Sequence, residues 1–366
     1  MSKTVEISIS KPLLGKEEER AVIRVIRSGN LVQGKQVEAF EKEFAHLCGT
    51  KYAVATDNGT SALIVALTAA GIGRGEEVIT TPFTFIATAN AISFVGAKPV
   101  FVDIDSDTFN VDPSKIEEAI TKKTKAIMPV HIYGLMADME STNKIAKKHS
   151  LLVIEDSAQA HGASILGRKA GNWGTVGTFS FYPSKNMTAG EGGMVTTNSE
   201  QIAANSKLFR NQGMSNQYEH EIIGFNFRMN EIEAAIGREQ LKKLEGFTKK
   251  RIQNAAYFNQ NLSKIAGITT PFVPDGFVHV YHQYTIKVER PYPLTRDQLL
   301  EKLHKNSIGA RIYYPKLLND EKVYATFKHK RLSVAEKVHK NILSLPVHPL
   351  LTKKDLDKII GVVADV

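Results

Sequence analysis

At 366 residues, with 42% hydrophobic and 23% charged side chains, the chain has ordinary globular composition and enough length for one large core and a smaller second one. No apolar run approaches the roughly 18 residues of a membrane-spanning helix, residues 1–6 lack the apolar stretch of a secretory leader, and the single cysteine, Cys48, excludes an intramolecular disulfide, so a cytoplasmic protein is expected. The formal charge of +9 is dispersed among acidic residues, as in Lys16-Glu17-Glu18-Glu19-Arg20 and Lys353-Lys354-Asp355, which reads as solvated helix faces with a general pull on anionic ligands, not as a nucleic-acid footprint.

From about residue 51 to 197, short apolar runs alternate with amphipathic or Ala-rich stretches, the pattern of an α/β architecture with a mostly parallel sheet. Strands are expected at 52–56, 77–80, 99–104, 126–131 and 151–155, and helices at 61–70, 87–95, 114–121 and 138–149, the first two helices closed by Gly71 and Gly96. Residues 178–182 and 193–197 read as two strands facing each other across a loop, which makes the sheet mixed. Helical character then runs from Ser199 to about Ile265, with helices at 229–244 and 245–262. An α+β region follows, with strands at 280–288 and near 310–314 and helices near 295–306, 333–343 and 352–363. No internal repeat or low-complexity tether intervenes. The expected division is a large α/β domain over 12–250 and a small C-terminal α+β domain over 251–366, sharing an interface.

Three segments carry side chains suited to chemistry. The apolar run Leu151-Leu152-Val153-Ile154 ends in Glu155-Asp156. Ligands of open α/β sheets bind past the carboxyl ends of strands, so Asp156 stands where a ligand-facing carboxylate would, although a helix cap or loop anchor reads the same way. Lys185 lies between the aromatic-rich strand Thr178-Phe179-Ser180-Phe181-Tyr182 and the turn Gly190-Glu191-Gly192-Gly193. Glycines there allow a bulky planar group to approach, and a partly desolvated lysine has the depressed pKa of an amine that attacks aldehydes; a plain surface lysine is the alternative. In Asp57-Asn58-Gly59-Thr60-Ser61-Ala62-Leu63 a strand passes through a small-residue turn into an Ala-rich helix. Its free N–H groups and hydroxyls suit a phosphate, and equally suit an ordinary Ser/Thr helix cap.

Together these segments resemble the DegT family of aminotransferases. The resemblance also runs through Gly29 to Glu41, Pro82-Phe83-Thr84-Phe85-Ile86-Ala87-Thr88-Ala89-Asn90, Gly96-Ala97-Lys98-Pro99-Val100-Phe101-Val102-Asp103, Gln159-Ala160-His161-Gly162-Ala163, Gly224-Phe225-Asn226-Phe227-Arg228-Met229 and Leu345-Pro346-Val347-His348-Pro349, in the family's order and over nearly the whole chain. It implies a fold-type I pyridoxal 5′-phosphate-dependent transferase that moves an amino group, from glutamate in most of the family, to a nucleotide-linked keto-sugar. Carried over by residue, Lys185 is the internal-aldimine lysine that later moves the proton, and Asp156 pairs with the pyridine nitrogen. Gln159 bonds the ring's 3-oxygen, Phe85 stacks on the ring, and Gly59, Thr60, Ser61 and Ser180 surround the phosphate. Asn226 reaches the phosphate from a neighbouring subunit, which implies a homodimer with shared active sites. No metal and no nucleic-acid or membrane partner is implied.

For the sugar-nucleotide, Arg228, Tyr313 and Lys316 are the candidate contacts, with surface or packing roles as their alternative, and His131, His161 and His220 read more simply as structural. One departure stands out: many relatives carry a histidine shortly after the Tyr-Pro of the C-terminal segment, where Tyr314-Pro315 here runs on as Lys316-Leu317-Leu318-Asn319. The short loop from Lys185 to Gly190 is similar to that of relatives aminating C4. A sugar dehydratase of the same family commonly replaces the cofactor lysine by histidine, so Lys185 speaks against it. A regulatory cofactor-binding protein would not need Lys185, Asp156 and Gln159 together. A Rossmann dehydrogenase lacks its Gly-x-Gly-x-x-Gly after the first strand.

Overall fold

Seven apolar runs become the strands of one sheet in the computed structural model: β1 (Tyr52–Thr56), β2 (Glu77–Thr80), β3 (Lys98–Phe101), β4 (Thr124–Ile127), β5 (Leu152–Asp156), β6 (Val176–Ser180) and β7 (Gly193–Thr197). The structure describes residues 7–325, 327 and 331–366; residues 1–6, to which the expectation about a secretory leader refers, lie outside them. Strand order is β1-β7-β6-β5-β4-β2-β3. β6, β5, β4, β2 and β3 pair in parallel, whereas β7 runs antiparallel to both its neighbours, so the sheet is mixed and mostly parallel as anticipated. Its strands are covered on both faces, and adjacent residues of a strand enter different cores: Val54 and Ile154 face one layer of helices, while Ala53, Ala55 and Val153 face the other.

The layers are built from α1 (Lys16–Ser28), α2 (Lys35–Cys48), α3 (Gly59–Ala69), α4 (Ala87–Phe94), α5 (Met139–Lys148), α6 (Glu200–Arg210) and α7 (Glu231–Leu262). Helix α3 is apolar on every side, with Ala62 to Leu67 buried, and so belongs in the interior between sheet, α4 and α6. Helix α2 depends on a residue far along the chain. The Glu231 carboxylate accepts the N–H groups of Gly34, Gln36 and Val37 at 2.9, 2.9 and 3.0 Å, satisfying the free donors of that helix start.

Two expected helices, 229–244 and 245–262, are one continuous helix, α7, 32 residues long. Gly246 does not break it: a mid-helix glycine costs only about 1 kcal/mol, and packing on either side outweighs that. The first half buries Ala234 and Leu244 against the large core, and the second buries Ala255, Phe258 and Leu262 in the small one. The expected domain boundary at 250/251 falls within this helix. Before it, residues 211–230 are not helical; they contain the hairpin Met214–Asn216/Glu219–His220 and an extended return to Asn230.

The second core surrounds the antiparallel sheet β8 (Ile268–Thr269), β9 (Tyr284–Val288) and β10 (Ile342–Leu345), with α8 (Arg296–Lys305) on it; α9 (Ser333–Asn341) packs Ala335 and Val338 with Phe83 and Phe101 of the large part instead, and α10 (Lys353–Ala364) returns to the second core. Residues 310–314, expected as a strand, contribute a single bridge between Arg311 and Ser344. The strand in that place is β10, whose first residues were expected to end a helix; full burial of Ile342, Leu343 and Leu345 against β9 overrides the helical pattern. Asp103, at the end of the β3 run, ties this part to the main sheet by accepting the Val334 and Ala335 N–H groups at 2.9 Å and 2.9 Å, which caps α9. No helix among the described residues is long and apolar enough to cross a membrane.

Candidate active site

Sheet register brings the candidate residues to one edge. Thr56, the last residue of β1, pairs with Gly193; Gly193 also pairs with Ser180, the last of β6; and Asp156, the last of β5, pairs with Thr178. The carboxyl ends of three strands therefore lie side by side, where ligands of open α/β sheets bind. The loop from Ser180 to Gly193 that bears Lys185 spans the same edge.

That loop is pinned rather than free. Asn186 Nδ2 donates to the Val280 carbonyl at 2.9 Å, Thr188 Oγ1 to the Phe181 carbonyl at 2.8 Å, and the Lys185 N–H to the Tyr182 carbonyl at 2.9 Å. The Lys185 side chain is half-buried. Burial pushes its amine down from 10.5 to about 8, against a smaller upward pull from the Asp156 carboxylate. That pull places the amine and the carboxylate in one site.

Asp156 is 5% exposed. One carboxylate oxygen accepts the Thr88 hydroxyl at 2.7 Å and the other the Ala158 N–H at 3.2 Å; Thr88 is in turn 3.1 Å from the Thr84 hydroxyl. Among the described residues no cation lies within ion-pairing distance of Asp156. A buried carboxylate held by neutral donors alone is costly unless a positive partner arrives, and a protonated ring nitrogen supplies one. Three residues on, Gln159 is also 5% exposed, its Oε1 accepting the Tyr133 N–H at 2.8 Å and its Nε2 donating to the Tyr314 hydroxyl at 3.3 Å. Phe85, 55% exposed, presents its ring to the cleft 6.1 Å from that of Tyr314.

At the start of α3, Asn58 Oδ1 caps the Ser61 N–H at 2.9 Å. Gly59 is required there because the end of β6 crosses so closely: a Cβ on it would lie 2.6 Å from Ser180 Cβ. Gly59, half-buried Thr60, buried Ser61 and Ser180 thus form one small cup of N–H and hydroxyl groups at a helix N-terminus, of the kind that holds a phosphate.

The remaining candidates do not join this group. Asn226 is exposed and its side chain makes no hydrogen bond among the described residues; Arg228 is half-buried and donates to Asn211 Oδ1 at 2.7 Å; Lys316 is exposed. Tyr313 is half-buried, with its carbonyl accepting the Tyr133 hydroxyl. His131 is structural, its Nε2 2.9 Å from the Glu155 carboxylate, which also gathers the Gly171, Trp173 and Gly174 N–H groups. His161 is fully buried among Phe44, Phe179 and Phe181, and burial, then Lys185, pushes it down to about 3, so it is neutral. His220 lies exposed on the hairpin. Sequence reasoning passed over Thr88 and Tyr314. Each enters the site through a hydrogen bond to a distant element, Thr88 to Asp156 and Tyr314 to Gln159, for which local sequence gives no signal.

A neutralisable lysine, a buried carboxylate without an ion-pair partner among the described residues and a cup suited to a phosphate, at the carboxyl edge of a mixed α/β sheet, are the parts of a pyridoxal 5′-phosphate-dependent aminotransferase, and the residues present fit that cofactor. The chain belongs to the DegT/DnrJ/EryC1/StrS aminotransferase family, whose model matches residues 12–364. It is 41% identical to the GDP-perosamine synthase of Caulobacter vibrioides, over 99% of this chain and 98% of that one. It is 42% identical to a pleiotropic regulatory protein of Geobacillus stearothermophilus, over 99% and 97%. The crystal structure of S. venezuelae DesV in complex with a ketimine intermediate superposes with a TM-score of 0.91 at 37% identity, covering 95% of this chain and 94% of that one.

Proposed function

We propose that this aminotransferase carries an amino group from an amino acid, glutamate in particular, to a nucleotide-linked keto-sugar, with Lys185 and Asp156 as its catalytic residues, in the cytoplasm. The observation that supports the site assignment is the pairing of a lysine amine held near 8 with a buried carboxylate that has no ion-pair partner among the described residues. The substrate class rests on the relatives, several of which are named for nucleotide-sugar amination.

Bound pyridoxal 5′-phosphate supplies an aldehyde that condenses with amines and a ring that accepts electrons when its nitrogen is protonated. The chain's own residues supply the rest. Asp156, oriented by Thr88, holds a proton at the ring nitrogen. Gln159, its Oε1 occupied by the Tyr133 N–H, turns its amide nitrogen toward the 3-oxygen. Phe85 would supply an aromatic face for the ring, and Gly59, Thr60, Ser61 and Ser180 would hold the phosphate. Lys185 would hold the cofactor through its amine at the aldehyde, with loss of water, and once displaced by the substrate amine would serve as the base that carries a proton within the site. Asn226 of a second copy completes the phosphate cup. The exposed apolar side chains Leu31, Val32, Phe94, Tyr218, Ile223 and Phe225 support such a homodimer, Phe94 and Phe225 lying 6.2 Å apart in a single patch. Arg228, Tyr313 and Lys316 are proposed for the anionic sugar-nucleotide.

The relative named a regulatory protein does not change this reading, because regulation by cofactor binding alone has no need of Lys185, Asp156 and Gln159 together. The test is incubation with glutamate and a panel of UDP-, GDP- and dTDP-linked keto-sugars and one keto-cyclitol, read by product mass. A gain of one amino group by a nucleotide-sugar, absent with Lys185→Ala, is the expected result. Transfer by the alanine variant at the parent rate removes Lys185 from the mechanism, and amination of the cyclitol alone overturns the substrate class.

A further inference from the structure

Gln159 is anchored at both ends of its amide. Because Oε1 accepts the Tyr133 N–H at 2.8 Å, Nε2 is committed to the cleft side, where it donates one hydrogen to the Tyr314 hydroxyl at 3.3 Å. Tyr133 serves both anchors, since its own hydroxyl donates to the carbonyl of Tyr313 and so holds the backbone from which Tyr314 projects. The Tyr314 ring is wedged between those of Phe85, at 6.1 Å, and Tyr313, at 5.8 Å. Its hydroxyl has no other hydrogen-bond partner among the described residues. Burial, and then the Asp156 carboxylate and Tyr313, hold that hydroxyl far above its ordinary range, so it remains an O–H throughout the working pH.

We propose that Tyr314 is a positioning residue for the 3-oxygen edge of the cofactor: by accepting one hydrogen of the Gln159 amide it aims the other at that oxygen. The inference rests on the cofactor role given to Gln159 above. An amide with one hydrogen fixed and its oxygen fixed cannot swing, whereas loss of the Tyr314 hydroxyl leaves a buried N–H without an acceptor and lets the group turn to find another. A donor aimed at the 3-oxygen stabilises negative charge there and loosens the proton shared between that oxygen and the lysine nitrogen. A misaimed donor makes that proton harder to remove.

The readout is the pH midpoint of the visible absorption of the protein loaded with pyridoxal 5′-phosphate, titrated from about pH 6 to about pH 10. Parent, Tyr314→Phe, Gln159→Leu and the double variant are compared. Tyr314→Phe is expected to raise the midpoint by on the order of half a unit, and to add nothing further in the Gln159→Leu background. An unchanged midpoint in Tyr314→Phe, or an equal shift in both backgrounds, overturns the proposal while leaving the cofactor assignment standing. A parent protein that develops no titrating band overturns the assignment of Lys185 and this inference with it.

Discussion

The depressed lysine makes a kinetic prediction about how the cofactor is taken up. Only a neutral amine attacks an aldehyde, so the rate of loading the apoprotein follows the neutral fraction of Lys185. With the amine at about 8, half is neutral at pH 8, whereas a lysine at the ordinary 10.5 would be neutral in about one molecule in 300. The site therefore gains roughly two orders of magnitude in reactive amine at that pH from burial alone. Apoprotein mixed with excess pyridoxal 5′-phosphate, followed by visible absorbance over a pH series, should load about tenfold more slowly for each unit below pH 7. The rate should level off above about pH 9. A rate that keeps climbing tenfold per unit to pH 10 would show Lys185 with an ordinary pKa, and the argument that its surroundings desolvate it would be wrong.

The same shift has a cost in the apoprotein. Because the folded pKa lies below the unfolded 10.5, protonated Lys185 destabilises the fold; the penalty is full below about pH 8 and fades as pH rises toward 10.5. Lys185→Met should therefore stabilise the apoprotein at pH 7 by up to about 3 kcal/mol and by little near pH 10, and equal denaturant midpoints for parent and variant at pH 7 would contradict this. Thr88→Val keeps the volume but removes the 2.7 Å donor to Asp156; a hydrogen bond to a charged group contributes about 1.5–3 kcal/mol, so the cofactor dissociation constant should rise on the order of tenfold or more. Equilibrium binding with unchanged affinity would remove Thr88 from the site. Gly59→Ala forces a methyl to 2.6 Å from Ser180 Cβ, which should cost about 1–3 kcal/mol on thermal or denaturant unfolding and weaken affinity for free pyridoxal 5′-phosphate; a variant as stable as the parent would mean that the cup is looser than described.

What could be read from the sequence was whatever depends on a residue's position along its own element. Asp156 ends an apolar run and Lys185 lies between two strands, so local pattern places both at the sheet edge before any contact is known. Gly59 and Ser61 open a helix for the same local reason. Thr88 and Tyr314 could not be found this way, because each acts through a hydrogen bond spanning 68 and 155 residues, and such contacts depend on how whole elements pack. The misplaced elements fail for a related reason. Residues 342 and 343 continue the helical spacing of 333–341 but are claimed by β9, and the helices expected at 229–244 and 245–262 are one because both flanks of their junction are held in a core.

The register of the sheet turns these separate local facts into one site. Thr56, Gly193 and Ser180 share one row of pairings, and Asp156 is paired with Thr178, two residues before Ser180 on β6. Because side chains alternate across a strand, a one-residue slip of β6 against β7 would send Ser180 to the opposite face and away from Gly59. The buried β6 run makes that slip costly, since it would exchange Phe179 and Phe181, which face α2 beside Met194, for Thr178 and Ser180 in a closed core. Core packing around Phe44, Phe179 and Met194 thus holds the phosphate cup in line, and loss of that packing should lower cofactor affinity without any change in the residues that touch the cofactor. Met194→Ala tests this, with a rise in the pyridoxal 5′-phosphate dissociation constant expected beside a loss of about 2–5 kcal/mol in stability. An unaltered affinity in a destabilised but folded variant would show that the cup keeps its shape independently of the core beneath it.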